Sequence, residues 1–582
     1  MITARPLASG APGFFYVRYW LLATLCLGMI WSQSAGGVLA MLNKAIKGFL
    51  FLCCAVVVLS AACYAAGPAD CKLDVQSGPV MGRLNEKPGV CVYKGIPFAK
   101  PPLGDLRFAP PQPADPWADV LKAGKFGNEC VQFPMGLAPA SEPVGNEDCL
   151  YLNVWQPAAA DKLPVMVWIH GGGFVLGSGS QDLYEGTNLA KLGDVIVVTI
   201  NYRLGPFGFL THPAFADANG NTGNFGLMDQ IAALQWVHDN IAKFGGDPGN
   251  VTIFGQSAGG MSVSLLTVSP KTKGLFQKAI IQSGSAAVLK KTDDQENANG
   301  VIAAGRLGCT DQAKVVECLR SADPVMMMKT LKPTLGLLSD AELTEGFPFH
   351  PVIDGDLIPD TPVKLLLDGN YDKSLKIMMG TTKDEASIFL IQKKVETADD
   401  FYKTFKSDMV MVKASFGINV ETDDILDYYP LANYATPRDA YNDLFTDLAF
   451  TCPTREHASI LADNGGEVYL YHFLRAPSTM GLFKDLGSFH SAELFFLFGN
   501  WKFMGMNLGS AENKPLAADM MALWSSFAHT GVPVAGGLPA WPMFKRDAPQ
   551  YLQLDLASSI LSDLKGKECA FQSSVILDSF GK

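Results

Sequence analysis

No run of Lys and Arg and no basic stripe occurs in the 582 residues, which carry 46 basic and 57 acidic side chains for a net −11. That speaks against a nucleic-acid binder, because phosphate contacts need a positive face. Charge of either sign is sparse, at 18% against 48% hydrophobic residues. A disordered chain has the opposite balance. No segment repeats at a fixed period, so repeat architectures are set aside. The 57 Gly and 36 Pro are scattered along the chain, so no collagen-like or low-complexity tract is present. None of the 12 Cys stands in a C-x-x-C pair, which argues against a zinc or thioredoxin-type site.

What is present first is a leader. Lys44 and Lys47 follow Met41, residues 48–63 are apolar, and Ala65 ends the run on a small side chain. This is the layout of a secretory signal peptide over residues 41–65, with residues 1–40 read as a non-native upstream extension. Two alternatives are an anchor over residues 14–31, interrupted by Arg18, and a lipid on Cys63, although Ser60 rather than Leu or Val stands three residues before it. Residues 1–65 hold four basic and no acidic side chains, so the remainder carries 42 basic against 57 acidic, a net of −15. Eight Cys remain there, an even number that suggests disulfides in an exported chain. The expected destination is the periplasm or the exterior.

Residues 67–582 read as one unit. Runs at 73–75 and 90–93, with Glu86-Lys87-Pro88-Gly89 between, predict a hairpin that a Cys71–Cys91 bridge would tie. Compact apolar runs at 149–155, 163–169 and 194–200 predict buried strands. Helical spacing over 226–244 stops at Gly245-Gly246. Strands follow at 250–255 and 278–282, with a helix beginning at Ala258. Alternating strands and helices predict an α/β fold, with a mainly parallel sheet flanked by helices. Residues 300–480 are less regular, and read as large helical insertions over the sheet's C-terminal edge, where such sheets bind ligands.

Gly255-Gln256-Ser257-Ala258-Gly259 fits G-x-S-x-G between a strand and a helix, the context that exposes a nucleophilic Ser on a sharp turn. Upstream, His170-Gly171-Gly172-Gly173-Phe174 follows a buried strand, and its glycines let backbone N–H groups approach a substrate oxygen. A Ser hydroxyl needs a base, and the base an orienting acid, here in the order Ser, acid, His. Five His follow Ser257. His350, His457, His472 and His529 sit in runs that read as strand, helix or core. His490 lies on a small-residue loop, Gly487-Ser488-Phe489-His490-Ser491, which suits a catalytic group. After the strand at 376–380 come Asp384 and Glu385, and position does not separate them.

These motifs, together with Gly95-Ile96-Pro97-Phe98, Glu147-Asp148-Cys149-Leu150, Asn201-Tyr202-Arg203-Leu204-Gly205 and Phe244-Gly245-Gly246-Asp247-Pro248, resemble the type B carboxylesterases, the family that includes the cholinesterases, from about Gly78 to Phe571. The resemblance implies an α/β-hydrolase fold and a serine ester hydrolase that needs no cofactor and no metal. It implies a triad of Ser257, Glu385 and His490, oxyanion donors at Gly172, Gly173 and Ala258, and a supporting hydroxyl on Ser283. It implies disulfides Cys130–Cys149, Cys309–Cys318 and Cys452–Cys569, leaving Cys71 with Cys91, and structural ion pairs Arg107–Glu147 and Arg203–Asp229. Phe347, Phe349 and Phe389 resemble acyl-pocket positions, with ordinary core packing as the alternative. The expected partner is a small-molecule ester. Two departures argue against choline esters: residues 131–148 contain no Trp to hold a quaternary ammonium, and Gln256 replaces the anionic Glu before the nucleophile. Ala386 stands where the family has Gly. The alternatives are a specialised esterase for a polyester fragment or toxin ester, and a non-catalytic binding member of the fold.

Overall fold

The computed structural model describes residues 71–578, apart from 85–88, 135–140, 219, 287–288, 335–346, 392, 417–424, 478–481 and 504–505. The expected leader, residues 41–65, and the stretch before it therefore lie outside the described residues. Among the described residues, the main sheet has eleven strands: β1 (Arg83–Leu84), β2 (Val90–Pro97), β3 (Tyr151–Pro157), β4 (Leu163–Ile169), β5 (Ile196–Ile200), β6 (Gly246–Gln256), β7 (Lys278–Gln282), β8 (Lys376–Thr382), β9 (Glu467–Phe473), β10 (Gln550–Leu554) and β11 (Ser559–Ser562). Their spatial order is β11-β10-β9-β8-β7-β6-β4-β5-β3-β2-β1. Pairing is parallel from β10 to β5 and antiparallel at both margins.

The central strands are Val/Ile-rich because both of their faces are covered. Side chains alternate across the sheet. Val165, Val167, Ile169, Ile253 and Ile281 enter one core with the helices α1 (Phe225–Asn240) and α2 (Ala258–Val268). Met166, Trp168, Phe254 and Ile280 enter the other, against α3 (Lys514–Thr530). After α1, a short 3-10 turn, Ile241–Phe244, ends at Gly245 with φ +73°, a left-handed stop that a glycine adopts without strain. A separate core, built on Phe401, Phe405, Tyr441 and Leu444, fills the insertion after β8.

One local expectation is corrected. The run at 73–75 does not pair with the run at 90–93. Lys72–Val75 folds back on Gly78–Met81 through the two-residue turn Gln76-Ser77. Val90–Pro97 pairs instead with β1 and β3. A tight turn closes sooner and at lower entropy than the longer loop assumed from sequence. The Cys71–Cys91 disulfide then joins the small outer sheet to the main one. Cys130–Cys149, Cys309–Cys318 and Cys452–Cys569 are also bonded. The last spans 117 residues, and in the chain-entropy account a closure of that length stabilises by about 5 kcal/mol. Arg107 meets Glu147 through two hydrogen bonds, and Arg203 meets Asp229 likewise, all four side chains buried.

Register decides what the C-terminal edge presents. The chain leaves β4 to build β5 on one side and returns to place β6 on the other. This reversal is a switch point, where a crevice opens between the strand ends. Ile169 lies opposite Gly255, and Gln282 opposite both Gln256 and Gly380. Ser257 and Ser283 therefore leave the sheet at one level, with His170 one residue before it and Lys383 two residues beyond.

Candidate active site

Ser257 follows β6 directly and has φ +58° and ψ −127°. For a residue with a Cβ this conformation costs on the order of 1–3 kcal/mol, and it persists only where its surroundings leave no alternative. Here they leave none. The Ser257 N–H donates to the Gln282 carbonyl at 2.9 Å, and the Ser257 carbonyl accepts from Met261 N–H at 2.8 Å. A Cβ on Gly259 would lie 2.0 Å from the Ile169 oxygen, so both glycines of the motif are packing requirements as well as turn residues: one on Gly255 would lie 2.5 Å from the Gly259 oxygen.

The glycine-rich loop lies against this turn. A Cβ on Gly171 would come within 3.1 Å of the Ser257 Cβ. Gly172 and Gly173 have φ of +112° and +59°. The Gly172 carbonyl accepts from Val175 and Leu176 N–H. None of the described turn and loop hydrogen bonds uses the N–H of Gly172, Gly173 or Ala258. Gln132 pins the end of the loop, accepting from Gly177 N–H at 2.7 Å and donating to its carbonyl at 3.0 Å. His170 stacks on Tyr202 at 4.4 Å, and burial pushes its imidazole down to about 4, so it stays neutral as a structural group.

Glu385 and Asp384, which sequence position left undivided, point to different partners. Glu385 is fully buried. Its Oε2 lies 2.5 Å from His490 Nδ1, and its Oε1 accepts from Ser283 Oγ at 2.5 Å and from Thr382 N–H at 2.7 Å. Asp384 accepts from Ser488 N–H and from the Asn442 amide, and a parallel bridge joins it to Phe489. Asp384 thus fastens the loop that carries His490, while Glu385 faces the imidazole. With Nδ1–H given to Glu385, Nε2 holds the free lone pair. The Gln256 side-chain amide lies 3.1 Å from that Nε2.

The remaining candidates are dispersed. His350 contacts the Pro351 carbonyl, His529 the Gly193 carbonyl, and His457 the Ser285 hydroxyl. His472 is buried in β9, and its imidazole is pushed down to about 3, first by burial and then by Lys565 and Lys383. Phe389 packs on His490 with ring centroids 5.1 Å apart. Phe349 belongs to the main core, and the Phe347 side chain lies outside the described residues. Sequence reasoning missed Phe450, whose ring sits 4.9 Å from His490 and stacks with Phe389. It lies in a single π-helical turn, Asp447–Thr451, just before Cys452. Such turns recur at functional sites, but no hydrophobic period announces them.

A second buried carboxyl, Glu493, lies near Glu385. Glu493 accepts from the Gln282 amide at 3.1 Å, and Gln282 in turn accepts from Trp524 Nε1. Burial, and then the nearby Glu385 charge, push Glu493 up from 4.5 to about 8. Folding therefore takes up a proton between those pH values, and stability falls as pH rises across that window, by an amount on the order of several kcal/mol. Glu493→Gln removes this slope. The drop in Tm between pH 5 and pH 8.5 is expected to be clearly smaller in the variant. Equal drops would show that Glu493 does not titrate there.

The switch-point crevice, the strained serine turn and the carboxylate–imidazole pair on neighbouring strand ends define an α/β-hydrolase, and comparison gives its chemistry as carboxylic ester hydrolysis. The model of the carboxylesterase family matches residues 69–572, and the chain belongs to that family. It is 37% identical to carboxylesterase 1E of Mus musculus over 90% of this chain and 97% of that protein. It is 36% identical to the acetylcholinesterase of Bungarus fasciatus over 86% of each. Among solved structures, a thermophilic PNB esterase superposes with a TM-score of 0.73 at 34% identity, over 86% of this chain and 99% of that one.

Proposed function

We propose that the protein hydrolyses small, uncharged carboxylic esters through an acyl-enzyme on Ser257. The observation that carries this reading is the continuous relay Ser283–Glu385–His490, joined to the strained Ser257 turn through Gln256, whose amide lies 3.1 Å from His490 Nε2. His490 takes the Ser257 proton as the hydroxyl attacks the ester carbonyl. The N–H groups of Gly172, Gly173 and Ala258 receive the oxyanion, Glu385 stabilises the imidazolium, and the alcohol leaves with the proton. Water then repeats the sequence on the acyl group. Phe389 and Phe450 bound the space beside His490, which favours short or flat acyl groups. A choline ester is a poor fit, because no carboxylate stands at position 256 and residues 131–148 contain no Trp. The disulfides and the 41–65 leader pattern support export. Among the described residues no helix is long and apolar enough to cross a membrane.

The test follows p-nitrophenyl esters from acetate to decanoate, together with organophosphate labelling read by peptide mapping. Turnover that is highest for short chains, with the label on Ser257, is the expected result. A folded protein that neither turns over any ester nor takes the label would overturn the proposal and favour a binding role.

A further inference from the structure

We propose that Gln256 is a positioning residue that keeps His490 available as a neutral base, an inference that rests on the esterase reading above. Gln256 ends β6 and is 2% exposed. Its Oε1 accepts from Ser491 Oγ at 2.9 Å, which directs the amide nitrogen to His490 Nε2 at 3.1 Å. Ser491 itself is held at φ +76°, so the hydroxyl that orients the amide is fixed by the backbone immediately after His490. The histidine is thus gripped at both nitrogens, by Glu385 at Nδ1 and by Gln256 at Nε2.

The two grips differ in charge. Glu385 supplies the carboxylate that stabilises the imidazolium once it forms. Gln256 offers an N–H to a lone pair that only the neutral ring possesses. A donor there stabilises the neutral ring, because the imidazolium has no lone pair to accept with, and it gives way when the Ser257 proton arrives. A carboxylate at the same place would attract the proton itself and favour the imidazolium before substrate arrives. The other groups around the ring add no second negative charge at Nε2. Phe389 and Phe450 pack against the ring at tilted angles, and Asp384 is turned to Ser488 and Asn442. Glu493, one turn on, is held protonated through neutral pH.

The experiment compares kcat/KM for p-nitrophenyl acetate against pH for the wild-type protein, Gln256→Glu and Gln256→Met. In Gln256→Glu the acid limb is expected to move upward by at least about 1 pH unit, the size of effect an adjacent opposite charge has on a titrating group. In Gln256→Met both hydrogen bonds are lost without added charge. There kcat is expected to fall about tenfold with KM little changed, since a loosened base spends less time aligned, and the limb is expected to rise by less than in Gln256→Glu, since the donor that favours the neutral ring is lost without an added charge. A structural role alone would lower activity without displacing the limb. An active Gln256→Glu whose limb stays within about 0.3 unit of wild type would overturn the positioning role. If Gln256→Glu fails to fold by circular dichroism, Gln256→Met decides, and an undiminished kcat overturns the role. A wild-type protein with no Ser257-dependent turnover would instead remove the esterase reading, and this inference with it.

Discussion

Ser257→Ala is expected to lower kcat for p-nitrophenyl acetate by about 10⁴-fold or more, His490→Ala by a similar factor, and the double variant by no more than either alone. In the proposed mechanism the two groups act as one device. Without the hydroxyl the base has nothing to deprotonate, and without the base the hydroxyl is too weak a nucleophile. What survives is the contribution of the oxyanion donors and of binding, which needs neither side chain. The Ser257 variant is expected to fold, because the turn is fixed by backbone hydrogen bonds to Gln282 and Met261 and by the packing of Gly255 and Gly259. Purified variants measured with active-site titration separate real turnover from contaminating esterase. Losses that multiply in the double variant would mean that Ser257 and His490 act independently, and the acyl-enzyme mechanism would fall.

Glu385→Gln should cost about as much, near 10⁴-fold, although it changes one atom. The reason is the orientation of the new amide. Ser283 Oγ and Thr382 N–H both donate to the Oε1 position, so the amide oxygen stays there. The NH₂ group is then forced onto the side that faces His490 Nδ1, which must accept rather than donate. The imidazole is locked in the other tautomer, with its proton on Nε2 and no lone pair there. Asp384→Asn is the control, because Asp384 holds the loop through Ser488 and Asn442 and does not touch the ring. Its kcat should fall less than about tenfold. Comparable losses in the two variants would assign the orienting role to the pair rather than to Glu385.

The parts of this site that were legible in the sequence are those carried by short motifs at strand ends. Gly255 to Gly259 and His170 to Gly173 announce a turn by composition, and the neighbouring apolar runs announce the strands that hold them. Parallel pairing then brings the motifs to one level, although more than eighty residues separate them. Side-chain direction was not legible. Asp384 and Glu385 are adjacent and position does not separate them; the resemblance points to Glu385, and in the structure Asp384 is turned to Ser488 and Asn442 while Glu385 meets the imidazole. Phe450 escaped because a π-helical turn breaks the period by which buried faces are found. The outer hairpin was misread because two polar residues, Gln76 and Ser77, suffice as a turn without the Gly or Pro that marks the longer loop.

The level at which strands β4, β6, β7 and β8 end separates two kinds of change that the chain can accept. Residues added between Glu385 and His490 lengthen a connection whose two ends are already tied by the Asp384–Phe489 bridge, so the imidazole keeps its place. A shift of one residue in the pairing of β6 with β4 would move Ser257 about 3.3 Å along the strand and turn its side chain to the opposite face. Substrate choice can therefore drift by insertion and deletion in the helical segments above the sheet, while the reaction itself tolerates no slip in the strands below.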